Sequence, residues 1–273
     1  MPSLTRHITT SEVTRTIEAA ERLSHDMLTS GSLLGMVPLI DHTTLSVTDS
    51  HESVRAFTAD MLARCRKAGV MPASVCTSPL FVESVGIELG DEPVAICSVA
   101  GGFPSGQTYP EVKMLECSMA MENGADEIDM IIDLGAVRMG RHDEASSQVR
   151  IIKEELDDDV TLKVIVETAS FESLDEIYNA CMVALEGGAD FVKSSTGKNT
   201  GGATYEAAVA MCLAVKDYHE ASGRMAGVKF AGGISSPEDA MPYIAIARLI
   251  LGADYITPEF FRIGSSSLLN KLV

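Results

Sequence analysis

The chain has no run of basic residues, no paired-cysteine motif, no apolar stretch long enough for a bilayer and no glycine-rich loop after its first strand-like segment. Each absence removes a class of function. Lys and Arg number 21 against 39 Asp and Glu, a formal net charge of -18, and the cations are scattered. A nucleic acid backbone therefore finds no positive track to neutralise its phosphates. The same field repels anionic metabolites at long range, so a phosphate-bearing ligand needs a local positive site. The six cysteines (Cys65, Cys76, Cys97, Cys117, Cys181, Cys212) form no C-x-x-C pair and fall in apolar or helical contexts, which suits reduced, packed thiols of a cytoplasmic protein. The N-terminus lacks the basic-then-apolar order of a signal peptide, and no segment approaches the roughly 18 to 20 apolar residues of a membrane span. The expectation is a cytoplasmic chain without a membrane or nucleic acid partner.

What is present is alternation. From Val37 onward, β-rich segments alternate with helical stretches: VPLID (37–41), ASVCT (73–77), VAICSVAG (94–101), EIDMIID (127–133), TLKVIVET (161–168), FVKSST (191–196), GVKFAGG (227–233) and FRIGSS (261–266). Most start about 30 to 36 residues apart, the length of one βα unit. Eight such units predict a closed (β/α)8 TIM barrel over 37–273. A doubly wound open sheet is the structural competitor, but VPLIDHTTL lacks the phosphate loop that such a fold carries after its first strand. Helical faces are read at Val112, Leu115, Met119 and Met121 before Gly124, and at Ile177, Ala180, Cys181, Ala184 and Leu185 before Gly187-Gly188. The recurring Gly124-Ala125-Asp126, Gly188-Ala189-Asp190 and Gly252-Ala253-Asp254 are read as αβ loops, not sites. Residues 1–36 stand outside the repeat. There Val13, Ile17, Ala20 and Met27 follow the Thr9-Thr10-Ser11 cap cluster at helical spacing, predicting an N-terminal helical extension packed on the barrel, across its bottom.

Active sites of such barrels form at the C-terminal ends of the strands, so charges inside apolar strands carry the most information. Four consecutive segments hold them: Asp129, Lys163, Lys193 and Lys229. A buried lysine is rare unless paired, and three on neighbouring strands point to chemistry. An amine attacks a carbonyl only when neutral, and a nearby cation in a partly desolvated pocket favours that state. One of Lys193 and Lys229 is then the nucleophile and the other the cation that tunes it, with Asp129 relaying protons through water. The competing reading of the same residues is an ion-pair network that only pins the barrel. A phosphate would sit on the loops after the last two strands, where Gly232-Gly233 and Gly264-Ser265-Ser266-Ser267 free backbone N–H groups and Lys198 adds a local cation. The histidines (His7, His25, His42, His51, His142, His219) do not converge on strand ends, so neither a metal nor another cofactor is expected.

From Asp41 to Leu269 the chain resembles the deoxyribose-phosphate aldolases, through IDHTTL, SVAGGFPSGQT, NGADEIDMIIDLGAV, LKVIVET, GGADFVKSSTGKNTGGAT, VKFAGGISS and FRIGSSSLL. The resemblance implies a lyase that cleaves 2-deoxyribose 5-phosphate reversibly to glyceraldehyde 3-phosphate and acetaldehyde, within deoxyribonucleotide and carbohydrate catabolism. It assigns the Schiff base to Lys193, the second lysine to Lys229 and proton transfer to Asp129, with Lys163 as an ordering charge. Phosphate contacts carry over to Gly197, Lys198, Gly232, Gly233, Gly264, Ser266 and Ser267, and a homo-oligomer such as a dimer is implied. There are departures. Ser235 stands where the family usually has an arginine, weakening the expected phosphate grip. Phe230 replaces a proline or small residue and is expected to crowd the pocket beside Lys229. Ser194 replaces threonine, Asp133 replaces an uncharged residue at the expected pocket rim, and no tail ending in tyrosine follows Val273. These departures motivate a second reading, an aldolase-like paralogue of weak or no activity that serves as a binding protein. A third, a sugar-phosphate isomerase or epimerase, leaves three strand-end lysines without a use.

Overall fold

The computed structural model describes residues 6–31 and 33–273. Helix α1 (Thr10–Ser30) comes first, followed by a 3-10 turn, Leu33–Leu39. The repeat then runs β1 (Ile40–Thr43), α2 (His51–Ala68), β2 (Ser74–Thr77), α3 (Val82–Leu89), β3 (Ala95–Ala100), α4 (Pro110–Glu122), β4 (Glu127–Ile131), α5 (Leu134–Arg138), α6 (His142–Glu155) and β5 (Thr161–Ile165). It continues with α7 (Leu174–Glu186), β6 (Phe191–Lys193), α8 (Tyr205–Ser222), β7 (Gly227–Ala231), α9 (Pro237–Leu251) and β8 (Phe261–Ser265). All strands are parallel in the order β1 to β8, and β8 pairs back onto β1 through Ile40 with Ile263 and Asp41 with Gly264. This is the expected closed (β/α)8 barrel. The strands are shorter than their apolar segments suggested, and Val37-Pro38-Leu39 belongs to the 3-10 turn instead of β1.

Local chemistry sets the helix ends. Ser50, Ser173 and Ser236 each cap a helix through a reciprocal box with the residue three positions on, satisfying donors that a helix start leaves open. Gly69 and Gly223 close α2 and α8 in the left-handed conformation that glycine adopts without strain. Two of the Gly-Ala-Asp loops have a clear structural task. Asp126 accepts from the Ile96 amide and Asp190 from the Leu162 amide, tying each loop to the start of the adjacent strand.

Hydrophobic burial lies mainly between the outer face of the sheet and the helices. Ile177, Ala180, Cys181, Ala184 and Leu185 of α7 all point into that layer, as their spacing predicts. Of the apolar face expected in α4, only Met121 packs against the core. Lys113, Cys117 and Ala120 face inward, while Val112, Leu115 and Met119 are 46%, 58% and 51% exposed. Small Cys117 and Ala120 let α4 approach closely, while Val112, Leu115 and Met119 stay outside. Helix α1 starts from the cap at Thr9 and buries Val13 and Ala20. Its partners are α9 and α8, so it sits on the wall of the barrel where the sequence reading put it across the bottom. Arg6 holds its start to Asp217 of α8 at 3.0 Å.

Candidate active site

Side chains of a strand alternate between two faces, and in this barrel the inner face is charged. Asp129 on β4, Lys163 on β5, Lys193 on β6 and Lys229 on β7 all point inward, in a register that sets Asp129 beside Lys163 and Lys193 beside Lys229. Asp129 and Lys163 are fully buried, Lys229 is 1% exposed and Lys193 3%. The four residues singled out by sequence therefore meet. Three more join them that the sequence reading missed as site residues: Asp41 on β1, Glu127 on β4 and Arg262 on β8. Each is a charge at or next to the end of an apolar strand segment, a weaker form of the signal that exposed the others.

The contacts form a closed set. Asp129 Oδ2 accepts from Lys193 at 2.8 Å and Lys229 at 2.7 Å, and its Oδ1 accepts from Lys163 at 3.0 Å. Lys163 reaches Glu127 at 2.6 Å. Arg262 spans Glu127 at 2.7 Å and Asp41 at 2.6 Å, and Asp41 also pairs with Lys229. For Asp41, Asp129, Lys163 and Lys229, burial favours the neutral form, but the opposing charges outweigh it. For Asp129, burial is outweighed by Lys163, Lys193 and Lys229, so its carboxyl titrates well below the usual carboxylate range. For Asp41, Lys229 and Arg262 do the same. Against their own burial, Lys163 and Lys229 are held above the ordinary lysine range, with Asp129 the leading attraction for both. Asp41, Glu127 and Asp129 thus face Lys163, Lys193, Lys229 and Arg262, one cation in excess. Lys193 touches a single carboxylate, whereas the other cations each touch at least two.

Above the network opens a cleft of about 460 Å³. Lys193 lines it, and so do Gly197, Lys198, Gly232, Gly233, Gly264, Ser266 and Ser267, the full set expected at a phosphate. Asp129, Lys163 and Lys229 lie below, off its walls. Space is tight at Gly264, where a Cβ would lie 3.0 Å from Ala231 Cβ and 3.2 Å from Lys229 Cε. Lys198 bridges the mouth of the cleft to the Leu45 carbonyl. Ser235 also lines the cleft, and its amide and hydroxyl both donate to Asp239 at 2.9 and 3.0 Å.

Two departures take on a different meaning in the fold. Phe230 is fully buried and points away from the cleft, stacked on Tyr243 at 5.1 Å and near Phe261 at 5.8 Å. The strand's alternation turns it outward when Lys229 points inward, so it does not crowd the pocket. Asp133 caps α5 through the Ala136 amide and lines a separate depression, not this cleft. Ser194 exchanges hydrogen bonds with the Ala231 main chain and ties β6 to β7.

Thiols border the network. Cys97 donates to Asp129 at 3.2 Å and accepts from Lys163 at 3.3 Å. Its hydrogen bond, with the charges of Lys229 and Lys193, lowers the Cys76 thiol, whereas burial raises Cys97. Among the described residues, donor atoms of Cys76, Cys97 and Asp129, and of Asp41, Cys97 and Glu127, lie within 4.8 Å of one another. The ammonium and guanidinium groups threaded between them oppose a cation at either place.

One further residue went unread. Glu167, just beyond β5, is fully buried and accepts from the Thr196 hydroxyl at 2.6 Å and from Asn199 at 3.0 Å. It too is a charge inside an apolar segment, TLKVIVET, but its partners lie on a different loop.

Comparison with known proteins points to one family. The pattern defining the DeoC/LacD family of aldolases matches residues 36–272. The deoxyribose-phosphate aldolase of Micrococcus luteus is 41% identical over 221 residues, covering 78% of this chain and 90% of that protein. The human deoxyribose-phosphate aldolase is 33% identical over 252 residues, 88% of this chain and 79% of that protein. Among solved structures, a putative deoxyribose-phosphate aldolase from Coccidioides immitis superposes with a TM-score of 0.74 at 26% identity, covering 93% of this chain and 96% of that one. The deoxyribose phosphate aldolase of Aeropyrum pernix, described as a tetramer, gives 0.71 at 26% identity over 93% and 95% of the two chains.

Proposed function

We propose that this chain, which belongs to the DeoC/LacD family of aldolases, cleaves 2-deoxyribose 5-phosphate reversibly to glyceraldehyde 3-phosphate and acetaldehyde through a Schiff base on Lys193. The observation that carries the proposal is the position of Lys193. It is the amine of the network that lines the cleft, and it has one carboxylate partner where its neighbours have more.

In this reading the neutral Lys193 amine adds to the C1 aldehyde of the open-chain sugar, and loss of water leaves an iminium. The iminium draws the electron pair of the C2–C3 bond as the C3 hydroxyl gives up its proton, releasing glyceraldehyde 3-phosphate and an enamine. Protonation and hydrolysis of the enamine return acetaldehyde and the free amine. Asp129, 2.8 Å from the Lys193 amine, is placed to relay these protons through water. With one cation in excess, loss of the Lys193 proton leaves the network electrically balanced, so the nucleophilic form creates no uncompensated charge. Lys229, kept cationic by Asp129 and Asp41 against its burial, is the fixed positive charge beside the amine, and Lys163 orders Asp129. The phosphate would lie on Gly197, Lys198, Gly232, Gly233, Gly264, Ser266 and Ser267 at the far side of the cleft.

Coupled detection of acetaldehyde tests the proposal. Release from 2-deoxyribose 5-phosphate, abolished in Lys193→Ala with the fold intact, supports it, and unchanged turnover in that variant sinks it. Assembly with further copies belongs to the same proposal, because the Aeropyrum pernix relative is a tetramer and α4 carries an exposed apolar stripe. Light scattering at micromolar concentration would show it. The six unpaired, buried cysteines support a cytoplasmic setting.

A further inference from the structure

Glu167 is the only residue other than glycine with a positive φ among those described, at 49°. The chain is held firmly on either side of it. The Val166 amide donates to the Lys193 carbonyl at 2.9 Å and the Thr168 amide to the Ser194 carbonyl at 2.8 Å, so pairing with β6 and its extension continues across a kink at Glu167. A side chain in the left-handed region is disfavoured unless its surroundings enforce it, and such residues cluster where function needs a particular placement.

The kink delivers a carboxylate beneath the β6–α8 loop. Glu167 Oε2 accepts from the Thr196 amide at 3.2 Å, the Thr196 hydroxyl at 2.6 Å and the Asn199 side-chain amide at 3.0 Å. The Thr196 hydroxyl in turn accepts from the Lys198 amide at 3.1 Å. One buried oxygen therefore fixes both ends of residues 196–199, and Gly197 and Lys198 of that segment line the cleft. A negative charge behind an anion-binding loop would repel the anion if it faced the cleft. Here Oε2 is taken up by three donors of the loop while Oε1 is buried without a partner, and what the carboxylate contributes is shape.

We infer that Glu167 is a positioning residue that sets the β6–α8 loop for the phosphate end of the substrate, acting on phosphate recognition and not on bond cleavage at Lys193. The inference rests on the phosphate contacts proposed above for Gly197 and Lys198. It predicts a split between substrates. In Glu167→Ala, KM for 2-deoxyribose 5-phosphate rises by roughly tenfold to a hundredfold, the scale of a displacement of about 1 Å in a binding group. kcat/KM for unphosphorylated 2-deoxyribose stays within about threefold of wild type. Glu167→Gln recovers most of the loss, because its amide oxygen still accepts from Thr196. Asn199→Ala removes one strut from the loop side alone, and its KM for the phosphorylated sugar rises severalfold; this arm decides the matter if Glu167→Ala does not fold. Equal losses on both sugars, or an unchanged KM for the phosphorylated one in Glu167→Ala and Asn199→Ala, overturn the inference while leaving the aldolase reading in place. Wild-type protein that cleaves neither sugar overturns both.

Discussion

Asp129→Asn is the substitution that most directly probes the charged interior. Asp129 serves three ammonium groups, at 3.0 Å to Lys163, 2.8 Å to Lys193 and 2.7 Å to Lys229. Removing one partner of a buried ion pair costs about 3–5 kcal/mol. The loss here is not three times that, because Lys163 keeps Glu127 and Lys229 keeps Asp41. Only Lys193 is left without a carboxylate, so the expected cost is about 3–5 kcal/mol in total. In a chain of this length each kcal/mol moves the midpoint by about 2–4 °C, a fall of roughly 6–20 °C. The pH dependence has a definite sign. Asp129 titrates well below the usual range in the folded protein, so its contribution is present above the unfolded value of about 3.9 and is lost as pH falls through the folded value. Urea unfolding across pH 3 to 9 should show a constant gap between wild type and variant above pH ~5 that narrows below pH ~4. A midpoint within ~2 °C of wild type, or a gap that does not narrow in acid, would refute the charged-network account.

Other expectations follow from single side chains. His42 is buried against Phe57, ring centroids 4.1 Å apart, and burial lowers its pKa to about 4. The unfolded chain therefore takes up a proton first, and stability falls by about 3 kcal/mol as pH drops from roughly 6.5 to 4. His42→Gln should flatten that limb in urea titrations, and an unchanged slope would contradict the assignment. At Gly227 a Cβ would lie within 2.7 Å of Phe191 Cζ, in a ring that packs beneath Arg262. Gly227→Ala should lose about 1–3 kcal/mol by overpacking, measured by the same unfolding. Phe230→Leu should lower stability by roughly 1–3 kcal/mol without altering KM, because its ring lies outside the cleft; a changed KM with unchanged stability would put the ring back at the site.

The fold was legible because eight apolar strand segments recur mostly at the spacing of a βα unit, and two of the Gly-Ala-Asp loops between them tie neighbouring strands together. Its edges were not. Val37-Pro38-Leu39 reads as apolar strand, yet proline there lacks the amide a ladder needs, and the segment closes as a 3-10 turn. The site was legible where a charge interrupts an apolar strand, as at Asp129, Lys163, Lys193 and Lys229. Glu127 and Arg262 send the same signal from the first two positions of their strands, where a charge passes for an exposed end. Counting in twos from Asp129 would have found Glu127. Helix α4 misled through composition, since small Cys117 and Ala120 allow close packing while larger apolar groups stay outside. Glu167 interrupts the apolar TLKVIVET segment in the same way, but its role depends on a backbone angle and on a loop some 30 residues further along the chain.

Borohydride reduction in the presence of acetaldehyde, followed by peptide mapping, tests the assignment of Lys193 most directly. A stable ethyl group on Lys193, with Lys163 and Lys229 unmodified, is the result expected from a cleft that exposes one amine of the network. Modification of Lys229 in its place, or no adduct on any of the three while acetaldehyde is still released from 2-deoxyribose 5-phosphate, would contradict it.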